Sequence, residues 1–192
     1  LLPHLDTNQS AWSKVLWGTE NQVEWECSIN LAATDNQKVW AGLKLTNDQL
    51  PETDADQAYF YYASDGTNGQ SLSSVNGTDY LTNLGITVAA STNYHFRISI
   101  DSDRKPSVFV NGVQYSLTTT AQSSALSGST EATGTTQATI AESYSATNAN
   151  TQKGPAMKND VDLIPYIGIE NGAAAAEALN VHYTAISRHV FE

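Results

Sequence analysis

An all-β sandwich is the fold class that this sequence predicts, on three observations. In residues 93–100, Tyr94, Phe96, Ile98 and Ile100 alternate with His95, Arg97 and Ser99. That is the period of two of a strand with one buried and one wet face. Next, Asn111-Gly112 separates two β-rich runs, 107–110 and 113–117. A type I′ hairpin turn needs positive φ at both central residues, and Asn-Gly adopts it at little steric cost. Between these features the polar stretch 101–105 ends at Pro106, which cannot donate to a ladder, so the chain turns there. Residues 93–117 therefore read as three consecutive antiparallel strands. Finally, similar short apolar runs recur along the whole chain with turn residues between them, the spacing of a sandwich or jelly roll.

Taken in order, residues 1–10 lack periodicity, contain Pro3 and read as an extended arm or edge segment. Residues 11–17, with Trp12 and Trp17, read as a first strand. In 23–31, Val23, Trp25, Cys27, Ile29 and Leu31 point one way and Glu24, Glu26, Ser28 and Asn30 the other. The same rule holds for 39–45, where Gly42 marks a bulge or a close backbone approach. After a polar loop at 46–55, the run 57–63 carries Tyr59, Phe60, Tyr61 and Tyr62 and is strongly β-prone. Weaker, short strands are expected around Leu72, Val75 and Tyr80-Leu81, and 86–90 leads into the 93–117 hairpins. Beyond them, 161–170 is an apolar strand broken by Pro165, and 171–177 is a short Ala-rich helical turn. The last strand, 179–191, has Leu179, Val181 and Tyr183 on one face and Asn180, His182 and Thr184 on the other. It is expected to pair back near the first strand.

Residues 119–157 differ from the rest. They are built from Thr, Ser, Ala, Gln, Asn and Gly, with Leu126, Ile140, Tyr144 and Met157 as the large apolar residues. Alone, such a segment cannot offset its ordering entropy by burial. It reads as a long arm inserted in a single domain spanning 1–192, and those four residues are its candidate assembly contacts.

Composition narrows the function. Only 15% of residues are charged, against roughly 25% in ordinary globular proteins. Polarity rests instead on Ser, Thr, Asn and Gln, a habit of extracellular and virion β-proteins. The net charge of −11 disfavours nucleic acid and anionic membranes as partners. No apolar run approaches the roughly 18 residues of a membrane-spanning helix. The single Cys27 excludes an internal disulfide and reads as a small buried hydrophobe. Because the only Met is Met157, residues are expected to have been removed upstream of Leu1, or the chain is a segment of a longer one.

Two blocks carry a resemblance: 94–115, YHFRISIDSDRKPSVFVNGVQY, and 162–188, DLIPYIGIENGAAAAEALNVHYTAISR. They resemble virion structural proteins of tailed bacteriophages, especially marine ones, that carry a concanavalin A-like, laminin G-like jelly roll. That family has a strand-turn-strand with a VNG turn and ends on a cassette like PYIGIQNG-AAA-L-V-Y followed by an Arg. Here Val110-Asn111-Gly112, Pro165 to Gly172, Ala173 to Ala176 and Leu179 to Arg188 fill those places. The resemblance covers most of the chain except 119–157. What it implies is a fold and a virion location, assembled in a host cytoplasm, rather than a chemical activity.

Several constellations bear on chemistry. Glu24 and Glu26 lie two apart on one strand face, roughly 6.5–7 Å at the backbone, within reach of paired-carboxylate chemistry. The third acid of the Glu-x-Asp-x-x-Glu motif carried by glucanases of this fold is missing, so no enzyme is expected and no catalytic residue is assigned. Asp54 with Asp56, Asp65 with Asn68, and Asp101 with Asp103 sit on loops whose oxygens would suit Ca²⁺. Solvated acidic loops, and in 101–105 a charge-balanced turn, are the simpler account, so no cofactor is expected. His4, His95, His182 and His189 show no metal spacing. Tyr59, Tyr61 and Tyr62 are the candidate partner or glycan contacts: a strand puts two of the four aromatics on each face, and exposed aromatics serve either subunit contacts or sugar stacking.

The expectation is thus a non-enzymatic virion protein, a capsid decoration or protrusion protein bound to the major capsid protein and homo-oligomeric, with a trimer as one form. The alternative is a lectin-like glycan-binding module on a tail fibre or virion surface.

Overall fold

The computed structural model describes residues 17–45, 54–64, 69–121, 141–142, 151–172 and 177–189, with backbone alone for 70–72 and 141–142. The arm expected at 1–10, most of the strand at 11–17, residues 173–176 of the helical turn expected at 171–177, and Asp65, Asn68, Leu126, Ile140 and Tyr144 lie outside these residues, while Asn171 of that turn is the last residue of a strand.

The strands are β1 (Glu24–Leu31), β2 (Gln37–Lys44), β3 (Gln57–Ala63), β4 (Gly69–Val75), β5 (Thr78–Ile86), β6 (Asn93–Ile100), β7 (Pro106–Val110), β8 (Val113–Tyr115), β9 (Ala141–Glu142), β10 (Ile164–Asn171) and β11 (Leu179–Ser187). A front sheet of five strands runs β11-β1-β6-β7-β8, and a back sheet of six runs β10-β2-β3-β4-β5-β9. Every pairing is antiparallel except that of β9, which adds two residues parallel to β5. The fold is an all-β sandwich of two sheets.

Alternation builds the core. Trp25, Cys27, Ile29 and Leu31 of β1 and Ile98 and Ile100 of β6 face Val39, Ala41 and Leu43 of β2, Phe60 of β3 and Ile167 of β10. Phe60 and Phe96 stack across the sheets at 4.4 Å between ring centroids. Each large side chain buried here contributes roughly 1.5–3 kcal/mol. Cys27 is fully buried, and burial, then the Glu26 charge, pushes its thiol up to about 12. It is an inert core residue.

Turns hold the register. Asn111 and Gly112 have φ of 51° and 81°, the positive pair that the β7–β8 hairpin needs. A second Asn-Gly, Asn76-Gly77, with φ of 50° and 77°, joins β4 to β5 in the same way. That signal is in the sequence and makes one long hairpin of what reads as scattered short strands. Pro106 is the first residue of β7, and Pro165 sits on β10, the outermost strand of its sheet, where a missing donor is tolerated. At Gly42 the β2–β3 register is regular, so there is no bulge. A Cβ there would lie 2.4 Å from the Ala58 carbonyl oxygen, so Gly42 serves a close backbone approach.

Two expectations need correction. The first is the end of the inserted segment. Leu117 N–H donates to the Gln152 carbonyl, Gly154 N–H to Pro106, and Met157 N–H to Arg104. Met157 is 1% exposed within the main core. Its side chain is therefore packing for this chain's own sandwich rather than an assembly contact. The second is the facing of β11, in which an extra residue at His182 shifts the register with β1 and puts Tyr183 on the opposite face from Leu179 and Val181.

Candidate functional site

The outer faces of the two sheets are chemically unlike. On the front sheet, Glu24, Glu26, Ser28 and Asn30 of β1 point outward, as alternation predicts. Glu26 accepts from or pairs with His95 Nε2 at 3.3 Å, and Glu24 lies 3.8 Å from Arg97 Nη1, these side chains being 34–40% exposed. The direct cross-strand partners are Glu26↔Arg97 and Ser28↔His95, so both ion pairs run diagonally between β1 and β6. Arg97 also covers the Phe109 ring of β7 at 3.9 Å. Each carboxylate of the spaced pair thus faces a basic side chain from the neighbouring strand, Arg97 for Glu24 and His95 for Glu26.

On the back sheet the middle of the outer face is buried, and the Lys38–Glu170 pair at its β10 end is open. Tyr59 and Tyr61 of β3, two of the three candidate contacts, are each 3% exposed and cluster with Trp40 and Leu81, Trp40 and Tyr61 lying 5.9 Å apart. Tyr62 faces the other way, into the space between the sheets, and donates to the Thr34 carbonyl at 2.6 Å. The three tyrosines are therefore not one surface, and two of them are covered. Beside them Lys44, 1% exposed, lies 3.8 Å from Asp54 Oδ2 and 4.7 Å from the Tyr166 ring centroid. Gln57 Nε2 donates to Ser74 Oγ at 3.1 Å, and Ser74 donates onward to Asp79. Burial, outweighing that hydrogen bond, raises the Asp79 carboxyl; burial, then the charge of Asp79, raises the Tyr59 phenol.

The acidic loops are occupied internally. Asp54 accepts from Leu45 N–H and Asp56 from Asn76 N–H. Asp101 accepts from the N–H groups of Asp103 and Lys105 and from Lys153 Nζ at 2.6 Å. Burial alone would raise Asp101, but the Lys153 hydrogen bond and then the backbone donors outweigh it and hold the carboxyl below its usual range. Among the described residues no three His, Cys, Asp or Glu converge as a metal cluster.

Between the sheets an apolar cleft lined by Leu31, Phe60, Ile86, Val88 and Tyr94 encloses about 30 Å³. That is room on the scale of a water molecule or two, and too little for a ligand.

The most exposed element is β11. It pairs with β1 from Glu24↔Ser187 to Cys27↔Thr184 and Ser28↔Tyr183, then shifts to Ile29↔Val181. His182 is the extra residue of this bulge. The shift reverses the alternation: Leu179 and Val181 share the core side with Leu31 and Ile29, whereas Tyr183 joins Ser28 on the outer face. Thr184 turns inward instead, and its Oγ1 accepts the buried indole N–H of Trp25 at 3.1 Å. Tyr183 is 41% and Val181 37% exposed. Around Tyr183, His95 lies at 5.9 Å between rings, and His182 Nε2 and Asn30 Nδ2 both approach Asn93 Oδ1. A period-two reading could not place Tyr183, because one extra residue flips everything before it.

No protein-family model and no curated protein sequence matches this chain. Among solved structures it is similar to an alginate lyase of Pseudomonas aeruginosa, at 11% identity over 91% of this chain and 68% of the other, with a TM-score of 0.49. A glycoside hydrolase family protein of Mycobacterium thermorestibile gives 10% identity over 86% of this chain and 63% of that one, with a TM-score of 0.47. The galectin of Caenorhabditis elegans gives 14% identity, coverage of 96% and 95%, and a TM-score of 0.45. The likeness is one of fold alone.

Proposed function

We propose that this chain is a non-enzymatic structural protein of a virion surface that stabilises a shell through contacts along its sheet edges. The observation that carries the reading is β11: nine residues long, outermost in its sheet among the described residues and exposed along most of its length. The cassette through which the sequence resembles phage virion proteins supports it, since 165–172 and 179–188 cover all of β10 but Ile164 and all of β11, which among the described residues are the end strands on one side of each sheet. An edge strand offers unpaired backbone groups to a neighbouring chain. Binding only to the assembled shell stabilises that shell by mass action. The paired Glu24–Arg97 and Glu26–His95 contacts accord with a surface built for cohesion rather than proton transfer.

The test is uptake of the purified protein by capsid shells that lack it. Saturation at a fixed ratio per shell is expected, with uptake lost in the Val181→Lys/Tyr183→Lys variant. No uptake by the wild-type protein overturns the reading.

A second reading, a lectin-like module, is favoured by one observation: the open Tyr183 ring has His95, His182, Asn30 and Asn93 around it. An exposed aromatic beside carboxamide and imidazole groups is suited to stacking and hydrogen-bonding a sugar. Glycan-array binding that is lost in Tyr183→Ala would establish this reading in place of the first.

A further inference from the structure

We propose that the partner at β11 is a second copy of this chain, paired antiparallel edge to edge about a two-fold axis so that two front sheets become one continuous sheet. This rests on the reading of the chain as a structural protein acting through its edges, and it names the partner of one edge.

Three observations carry it. Among the described residues no strand lies beyond β11, and Asn180 to Ala185 are exposed in sequence, including Val181 and Tyr183. Edge strands are ordinarily guarded by charges, prolines or bulges. β11 contains no Asp, Glu, Lys, Arg or Pro, and its one bulge, at His182, leaves the register from Tyr183 to Ser187 unbroken.

The second observation is electrostatic. Two chains of net charge −11 repel wherever acidic surfaces meet. β11 is a strip on which they can approach without that cost.

Third, the strip is bracketed by opposite charges. Glu177 stands just before it, and Arg188, which also lies near Asp162, just after. Antiparallel pairing sets Glu177 of each copy against Arg188 of the other, in addition to the contact of Arg188 with Asp162. A two-fold axis makes the contact twice; parallel pairing would set like against like. A strand pair of this length is a small interface, of the weak class on its own. On a shell, where many copies are held close, it would gain from multivalency.

Sedimentation equilibrium of the purified protein in low salt, from about 10 μM to about 1 mM, the range of weak association, tests this. A concentration-dependent mass of two chains is expected. Val181→Lys/Tyr183→Lys should abolish it. Glu177→Arg and Arg188→Glu should each weaken it roughly fivefold, because each change acts twice across the axis. The double reversal should restore it to within about twofold of wild type by the same argument. Thermal melts of every variant establish that the sandwich is intact; should Arg188→Glu melt early, Glu177→Arg and the double reversal decide alone. A monomer throughout, a three-chain mass, a dimer indifferent to the Lys pair, or a double reversal that restores nothing overturns the inference. Shell uptake by a chain that stays monomeric would overturn this inference alone. A dimer that no shell takes up would instead overturn the proposed function.

Discussion

The outer faces of the two sheets are made by the same alternation, yet one is wet and one is dry. On the front sheet every second residue of β1 and β6 is polar, and Glu24, Glu26, His95 and Arg97 pair at 34–40% side-chain exposure. In the middle of the back sheet, of the residues that alternation turns outward, Trp40, Lys44, Tyr59 and Tyr61, none is more than 3% exposed, and only at its β10 end does a pair, Lys38 with Glu170, stand in the open among the described residues. The lesson concerns what a charge is worth. A pair in water exchanges hydration for a weak, screened attraction. A buried pair such as Lys44–Asp54 gains little by existing, but breaking it strands a charge.

The sharpest way to break this comparison is Lys44→Ala. It leaves the Asp54 carboxylate, 4% exposed as a side chain, without that cation and should cost about 3 kcal/mol, read as a lowered urea midpoint at unchanged m-value. A loss below about 1 kcal/mol would put the pair in the same class as the front-sheet contacts.

A pH profile separates two carboxyls of opposite shift. Asp79, raised chiefly by burial, binds its proton more tightly folded than unfolded. Stability therefore falls as pH rises from the ordinary carboxylate value, about 3.9, through the raised folded value, and Asp79→Asn should remove that fall. Asp101, held low despite burial by Lys153 and backbone donors, has the reverse sign. Its contribution is present above the ordinary value and is lost as pH drops through the lowered one. Asp101→Asn should therefore flatten the acid limb instead. Urea midpoints measured from acid to neutrality check both; identical profiles for the two variants would refute the assignment.

The smallest effect is expected at the front sheet. Glu26→Gln removes the contact to a partly exposed His95 and should change stability by no more than about 0.5 kcal/mol, measured by the same unfolding curves. A larger loss would mean that the face is less open than its exposure indicates.

Legibility in the sequence followed the range of the interaction. β1, β3 and the β6–β7–β8 meander stand close to where alternation and the Asn111-Gly112 turn put them, because each depends on neighbours a few residues away. The β4–β5 hairpin was equally legible through Asn76-Gly77, but thin apolar content hid it. The candidate contacts fared differently. That two aromatics of the 59–62 run lie on each face is a local fact. That Tyr59 and Tyr61 are covered while Tyr183 is open depends on what lies against each face, which no local pattern records.

By itself, then, the sequence determined the all-β class, the inward face of β1 and β6 and the buried Cys27. These follow from side-chain period and turn stereochemistry, which act over a handful of residues. Tertiary structure alone decided that Met157 belongs to the core, that Glu24 and Glu26 meet Arg97 and His95, and that a bulge at His182 turns Tyr183 outward. Each of these turns on the register between strands far apart in the chain, and a shift of one residue there reverses a face without altering the local pattern.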